Sequence, residues 1–250
     1  MFWNAILNAG LDILYPPHCI ACDKSTRVLS GAMLCEACAG QLRHERFSPA
    51  CRRCGAGTGI HGRDSCPQCV RRKPRFDGIV RVAPDGGLLG DMLRAYKFDG
   101  QVILEPLLVR LLAFELLGAG WLSRIDCVTW VPAHWSRRWL RRVYPAERLG
   151  RSVAAILGSK RRAMLRRTRR GRHQVGLSWH ARRRNVRGVF DLRRSRGLRG
   201  MSVLLIDDVA TTGSTLSACA RTLKRAGVES VYAAVLLKVD SVTGGAQPGR

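Results

Sequence analysis

The sequence predicts an α/β fold: a Rossmann-like parallel sheet with helices on both faces, carrying a small cysteine-rich module at its amino end. Three observations carry this. From about residue 75 onward, apolar runs of strand length alternate with amphipathic segments of helix length. Eight of the ten cysteines stand as four C-x-x-C pairs between residues 19 and 69. The stretch Val203-Leu204-Leu205-Ile206-Asp207-Asp208-Val209-Ala210-Thr211-Thr212-Gly213-Ser214-Thr215 reads as a buried strand, two carboxylates at its end, a hydroxyl-rich turn and a helix start.

Residues 1–17 are expected to hold a short amphipathic helix, with Ile6, Leu7, Leu11 and Leu14 on one side. The segment has neither a basic start nor a small-residue cleavage site, and no apolar run of the chain is long enough to span a bilayer. A cytoplasmic protein is the expectation. In residues 18–72 the pairs Cys19/Cys22, Cys35/Cys38, Cys51/Cys54 and Cys66/Cys69 are separated by 12, 12 and 11 residues. Each C-x-x-C turn aims two thiolates at one tetrahedral ion, so two pairs complete a closed Cys₄ site. Paired in order, they predict two structural Zn²⁺ ions, one on Cys19, Cys22, Cys35 and Cys38, the other on Cys51, Cys54, Cys66 and Cys69; interleaved ligation is the alternative. The stretch has few large apolar residues, so metal binding has to supply its stability. Reduced cytosolic thiols argue against disulfides.

The second domain is expected over 75–239, after a basic link from Val70 to Pro74. Phe76–Ala83 reads as a strand, Leu88–Phe98 as a helix, and Glu105–Leu117 as a helix apolar nearly all round and hence buried. Asp126–Val131 reads as a strand, Ala146–Leu157 as a helix and Ser230–Leu237 as a valine-rich strand; residues 240–250 read as a disordered tail. Cys127 and Cys219 fall in apolar patterns and suit the core.

The net charge is +25, and Arg137–Arg199 holds 22 basic residues against Glu147 and Asp191. A polyanionic partner fits such an imbalance, and so does a genome-wide arginine bias. Trp135, Trp139, Tyr144 and Trp179 are interspersed with the arginines, a pairing that suits phosphates and stacked bases of a single strand. Arg137, Arg138, Arg141, Arg167, Arg169, Arg170 and Arg172 are the candidate nucleic-acid contacts.

A helix amino-terminus offers unpaired N–H groups and the positive end of a dipole, so the turn before the last helix suits a phosphate. Carboxylates beside it make sense when the ligand also brings sugar hydroxyls or a divalent cation. This pattern resembles the PRPP-binding motif of type I phosphoribosyltransferases. The resemblance implies that Asp207 and Asp208 hold the ribose hydroxyls, that Ala210, Thr211, Thr212, Gly213, Ser214 and Thr215 hold the 5-phosphate, and that Mg²⁺ accompanies PRPP.

Together the cysteine pairs, the α/β pattern and this late motif resemble the ComF family, phosphoribosyltransferase-like proteins associated with competence and DNA uptake. Leu11-Asp12-Ile13-Leu14-Tyr15-Pro16-Pro17 and Leu93-Arg94-Ala95-Tyr96-Lys97-Phe98-Asp99-Gly100 are similar to further family segments, and Pro132 and Ala133 fall at its pyrophosphate-side loop, with Arg142 beyond it. The family usually reads R-R-G-F-N-Q where this chain has Arg141-Arg142-Val143-Tyr144-Pro145-Ala146. Losing the glycine and two amides leaves ligand binding as the expectation and turnover unsupported; no general base stands out. The implied function is binding of PRPP and single-stranded DNA in natural transformation or DNA processing, with peripheral association with the uptake machinery. The alternatives are an active phosphoribosyltransferase of nucleotide metabolism and a zinc-ribbon adaptor with a vestigial phosphate loop.

Overall fold

The computed structural model describes residues 18–24, 33–58, 66–71, 73–133, 144–168, 188–193 and 197–240. The helix expected at 1–17 and the tail from 241 onward lie outside them. The strands are β1 (Gly78–Pro84), β2 (Cys127–Trp130), β3 (Lys160–Arg161), β4 (Leu165–Arg167), β5 (Phe190–Leu192), β6 (Ser202–Ala210) and β7 (Ser230–Lys238). The helices are α1 (Glu36–Arg46), α2 (Pro67–Arg71), α3 (Gly87–Arg94), α4 (Glu105–Leu117), α5 (Pro145–Ile156) and α6 (Ser214–Arg225).

Five strands form one all-parallel sheet in the order β1-β7-β6-β2-β3, while β4 and β5 pair antiparallel outside it. The central strand β6 is apolar on both faces because both are covered by helices. Its side chains alternate: Leu204 and Ile206 pack with Leu93, Leu112 and Val153 of α3, α4 and α5, whereas Val203 and Leu205 pack with Leu216, Cys219 and Leu223 of α6. The chain passes from β2 to β3 through α5 on the first face, and from β6 to β7 through α6 on the second. The strand order therefore reverses between β2 and β6, the place where ligands of such sheets bind, beyond the strands' carboxyl ends.

Several expectations are corrected. The strand expected to end before the acid pair runs on to Ala210, because Asp207 and Val209 keep their parallel partners Val235 and Leu237 on β7. The helix expected over Leu88–Phe98 is α-helical only to Arg94; Ala95–Asp99 form a π-helical turn, closed by Gly100 in the left-handed region. The helix at Glu105–Leu117 is not buried all round: Phe114 and Leu117 are exposed, and the Arg46 guanidinium lies 4.5 Å above the Phe114 ring while pairing with Glu115. The link expected from Val70 begins inside α2.

The cysteine module covers the β1 side of the sheet. Arg52 O accepts from the Ile79 N–H at 2.9 Å, giving edge strand β1 a backbone partner. The Glu45 carboxylate accepts from the N–H groups of Leu88 and Leu89 at 2.7 and 3.1 Å, capping α3 with negative charge at its positive end. Asp240 accepts from the Gly57 N–H and from buried Arg81.

Candidate functional site

A cleft of about 190 Å³ opens at the carboxyl end of β6, lined by Lys97, Asp207, Asp208, Val209, Ala210, Thr211, Gly213, Ser214, Thr215 and Leu216. Gly213 makes the turn: at φ 68° it adopts a left-handed conformation that a Cβ would strain. As the N-cap of α6 it has no side chain of its own to cap the helix; beyond the Ser214 N–H, which donates to the Thr212 hydroxyl, the first-turn N–H groups have no intrahelical acceptor and suit an anionic ligand. Ser214 and Thr215, expected in the loop, belong to that first turn. Thr212 does not line the cleft; its hydroxyl lies 2.7 Å from Ser214 Oγ and accepts from the Ser214 N–H. Lys238, 4% exposed, donates from Nζ to Thr211 O at 2.7 Å and Val239 O at 2.6 Å, and so holds the loop from beneath.

The strand's pleat sends the two acids to opposite faces. Asp208 shares the face of Leu204 and Ile206, where Lys97 Nζ stands 2.7 Å from its Oδ2, both side chains more than four-fifths buried. Burial opposes its charge, but the Lys97 ammonium, aided by hydrogen bonds from Asp207 and the Val209 N–H, holds Asp208 below the ordinary carboxylate range. Asp207 faces the α6 side. Burial first, and then repulsion from Asp208, raises it well above that range against a backbone bond from the Asp208 N–H and the more distant Lys97 charge. The site thus favours the carboxylate at Asp208 and the neutral acid at Asp207.

Lys97 is the cleft residue that sequence reasoning missed. It sits on the π-helical turn, a geometry frequent at functional sites, and its signal was present in the Lys97-Phe98-Asp99-Gly100 turn noted for its family resemblance. Of the remaining candidates, Pro132 and Ala133 leave β2 beside the acid pair, since Trp130 pairs with Ile206 and the Val131 N–H donates to Ile206 O, but they do not line the cleft. Arg167 lies at the end of β4 with its guanidinium 5.6 Å from the centre of the Phe190 ring. Arg137, Arg138, Arg141, Arg142, Arg169, Arg170 and Arg172 lie outside the described residues.

The cysteines form two separate clusters, Cys19, Cys22, Cys35 and Cys38, and Cys51, Cys54, Cys66 and Cys69, each with its sulfurs within 4.8 Å of one another. That is the in-order pairing. Sulfur separations of 3.8 Å for Cys22–Cys35, 3.8 Å for Cys51–Cys69 and 3.4 Å for Cys54–Cys66 compare with about 3.8 Å across a tetrahedron of 2.3 Å Zn–S bonds. Each cluster also contains a thiol favoured as thiolate. Burial opposes it at Cys19, but N–H groups of Cys35, Ala21 and Cys22 bring that thiol down to about 6; at Cys66 burial is outweighed by the Cys69 N–H together with the thiols of Cys54, Cys51 and Cys69. Burial raises Cys54 and takes Cys69 to about 12, so the four sulfurs do not ionise together without a cation. The donor sets fit two structural zinc ions with no open position.

Among the described residues no helix is long and apolar enough to cross a membrane. Residues 10–70 match the double zinc ribbon domain and residues 146–245 the phosphoribosyl transferase domain. A 47-residue part of the chain, 19% of it, is 49% identical to 26% of adenine phosphoribosyltransferase from Mycobacterium marinum. Across 86% of the chain it is 27% identical to 93% of competence protein F from Haemophilus influenzae. Over the same share it is 31% identical to 94% of the DNA utilization protein YhgH from Salmonella typhi. A zinc ribbon and a phosphoribosyltransferase fold follow one another in a chain that aligns with nearly the whole of these relatives, and the protein belongs to the ComF/YhgH family.

Proposed function

We propose that the protein binds PRPP with Mg²⁺ at the carboxyl end of β6 and single-stranded DNA through its arginine-rich segment, acting in natural transformation or another step of DNA processing. The observation that carries the ligand is the meeting of the acid pair, Lys97 and the α6 amino-terminus in one cleft. The α6 N–H groups and the hydroxyls of Ser214 and Thr215 take the 5-phosphate. Ionised Asp208 accepts from a ribose hydroxyl, and Asp207 does so on giving up its proton. Mg²⁺, held largely by the ligand and water, neutralises pyrophosphate charge. Transfer to an acceptor is not part of the proposal, because the Val143–Ala146 stretch departs from the family pattern.

The DNA part rests on 22 basic residues within Arg137–Arg199 and on the names of the relatives. The zinc ribbons, residues 18–72, brace the ligand domain, residues 75–239, in a cytoplasmic protein that associates peripherally with the uptake machinery.

Titration with PRPP and Mg²⁺, and separately with single-stranded DNA at several salt concentrations, tests both parts. The expected outcome is saturable PRPP binding that is lost in Asp207→Ala/Asp208→Ala, and DNA affinity that falls steeply as salt rises. PRPP binding without DNA binding at low salt would instead favour a phosphoribosyltransferase of nucleotide metabolism. DNA binding without PRPP binding would leave a zinc-ribbon adaptor.

A further inference from the structure

The second cysteine cluster and the phosphate loop are joined by a short set of buried contacts. Lys238 ends β7 beside Ala210, the last residue of β6, and the Val239 N–H donates to Ala210 O at 2.9 Å. Its ammonium is buried between Thr211 O and Val239 O, with no carboxylate among its hydrogen-bond acceptors. Its stem meets the turn that holds Cys54. Gly55 follows that cysteine at φ 75°, and a Cβ there would lie 3.6 Å from Lys238 Cγ and 3.3 Å from Ile79 Cγ2.

The same turn is fastened on both sides of the cluster. Arg52 O, between Cys51 and Cys54, accepts from the Ile79 N–H at 2.9 Å. The Gly57 N–H donates to Asp240 at 2.7 Å, and Asp240, two residues beyond Lys238, pairs with Arg81, whose side chain is 2% exposed. The turn from 52 to 57, the end of β7 and Thr211 are therefore linked by direct contacts. Among the described residues the first cluster has no such path: its helix α1 reaches the cleft only at a distance, by capping α3 through Glu45. Charge acts in the same direction as geometry. A Zn²⁺ on four thiolates carries a formal charge of roughly −2, opposite in sign to the buried cations Lys238 and Arg81.

We propose that metal in the second Cys₄ site and an anion on the phosphate loop stabilise one another through Lys238, which acts as a positioning residue for the loop. The inference rests on the loop's taking a phosphate, as in the function proposed above. Binding energies are reciprocal: a turn that fixes Thr211 for the ligand is itself fixed by the ligand, by the same factor. The coupling belongs to one cluster, which makes the other an internal control.

The test follows zinc release from the full chain, loaded with two ions, to a zinc-selective chelator that leaves Mg²⁺ in place. Release is timed without ligand, with saturating PRPP and Mg²⁺, and with inorganic phosphate; occupancy of each probe is measured separately by titration. The expected result is that a bound probe slows release of one ion about fivefold or more, within the range of site-to-site couplings, and leaves the other unchanged. Cys22→Ser, which disables the first cluster, should retain the protected ion. Lys238→Met should still hold two ions but lose the protection.

Equal protection of both ions, or of neither while a probe is shown to bind, overturns the coupling and leaves the phosphoribosyl reading intact. Protection by phosphate with no PRPP binding supports the coupling and removes that reading; binding of neither probe removes both. Should Lys238→Met fail to fold, the wild-type and Cys22→Ser release curves still decide the matter.

Discussion

Asp207 and Asp208 are adjacent on one strand, yet their environments push their acidities in opposite directions. A pleated strand sends neighbours to opposite faces, so Asp208 meets Lys97 at 2.7 Å while Asp207 enters the α6 side. Burial works against both charges, and only Asp208 has a cation close enough to overcome it. Two identical residues thus form an unlike pair, one favoured as a charged acceptor and one favoured as a neutral acid. A ligand bringing hydroxyls and a divalent cation can use both, the second after the proton leaves.

The largest effect that sharpens this contrast is on stability. Asp208→Asn strands the Lys97 ammonium, and breaking a largely buried pair should cost on the order of 3 kcal/mol. Asp207→Asn replaces an acid whose neutral form the site favours with a neutral amide of the same shape, so its cost should stay within about 1 kcal/mol. Urea denaturation of both variants near neutral pH measures this. Equal losses would break the comparison.

Next is ligand affinity. Lys97→Met removes the cation that fixes Asp208 and lines the cleft, and PRPP affinity should fall about tenfold or more, equivalent to about 1.4 kcal/mol. Unchanged affinity by calorimetry would place Lys97 outside the binding machinery.

A third contrast lies in pH. Asp207 is raised in the folded protein, so its contribution to stability is present below the ordinary carboxylate value of 3.8 and is lost as pH rises through the folded value. Asp208 is lowered, and its contribution is present above 3.8 and lost as pH falls through its folded value. Above 3.8, wild type should therefore lose stability relative to Asp207→Asn as pH increases. Denaturation midpoints for the two proteins that stay parallel from pH 4.5 to 8 would contradict the assignment.

The smallest effect is at the turn. Gly213→Ala has room, since its Cβ would meet the Phe76 ring at 3.7 Å, but it must hold φ 68°. A strain of about 1 kcal/mol is expected, read as a lower denaturation midpoint together with weaker PRPP binding.

Much of this architecture was legible in the residues. The cysteine spacing predicted both metal clusters because C-x-x-C turns are local, and the apolar run before Asp207 marked a buried strand. The acid pair was visible as an anomaly, two charges next to a core segment. What was not legible depends on distant contacts. The strand was expected to stop at the acids, because nothing local shows that β7 pairs with it as far as Ala210. Lys97 reaches Asp208 only once α3 packs on the sheet and its last turn widens. Lys238 lies one residue past the strand read as Ser230–Leu237 and drew no notice there; its role appears when its ammonium meets Thr211 O.

The most direct measurement is calorimetry of PRPP with Mg²⁺ near pH 5.5, run in two buffers of different ionisation enthalpy. The difference between them counts the protons released on binding. Saturable binding is expected, with a proton release in wild type that is smaller in Asp207→Asn. Absence of binding, or a proton count identical in the two proteins, would contradict it.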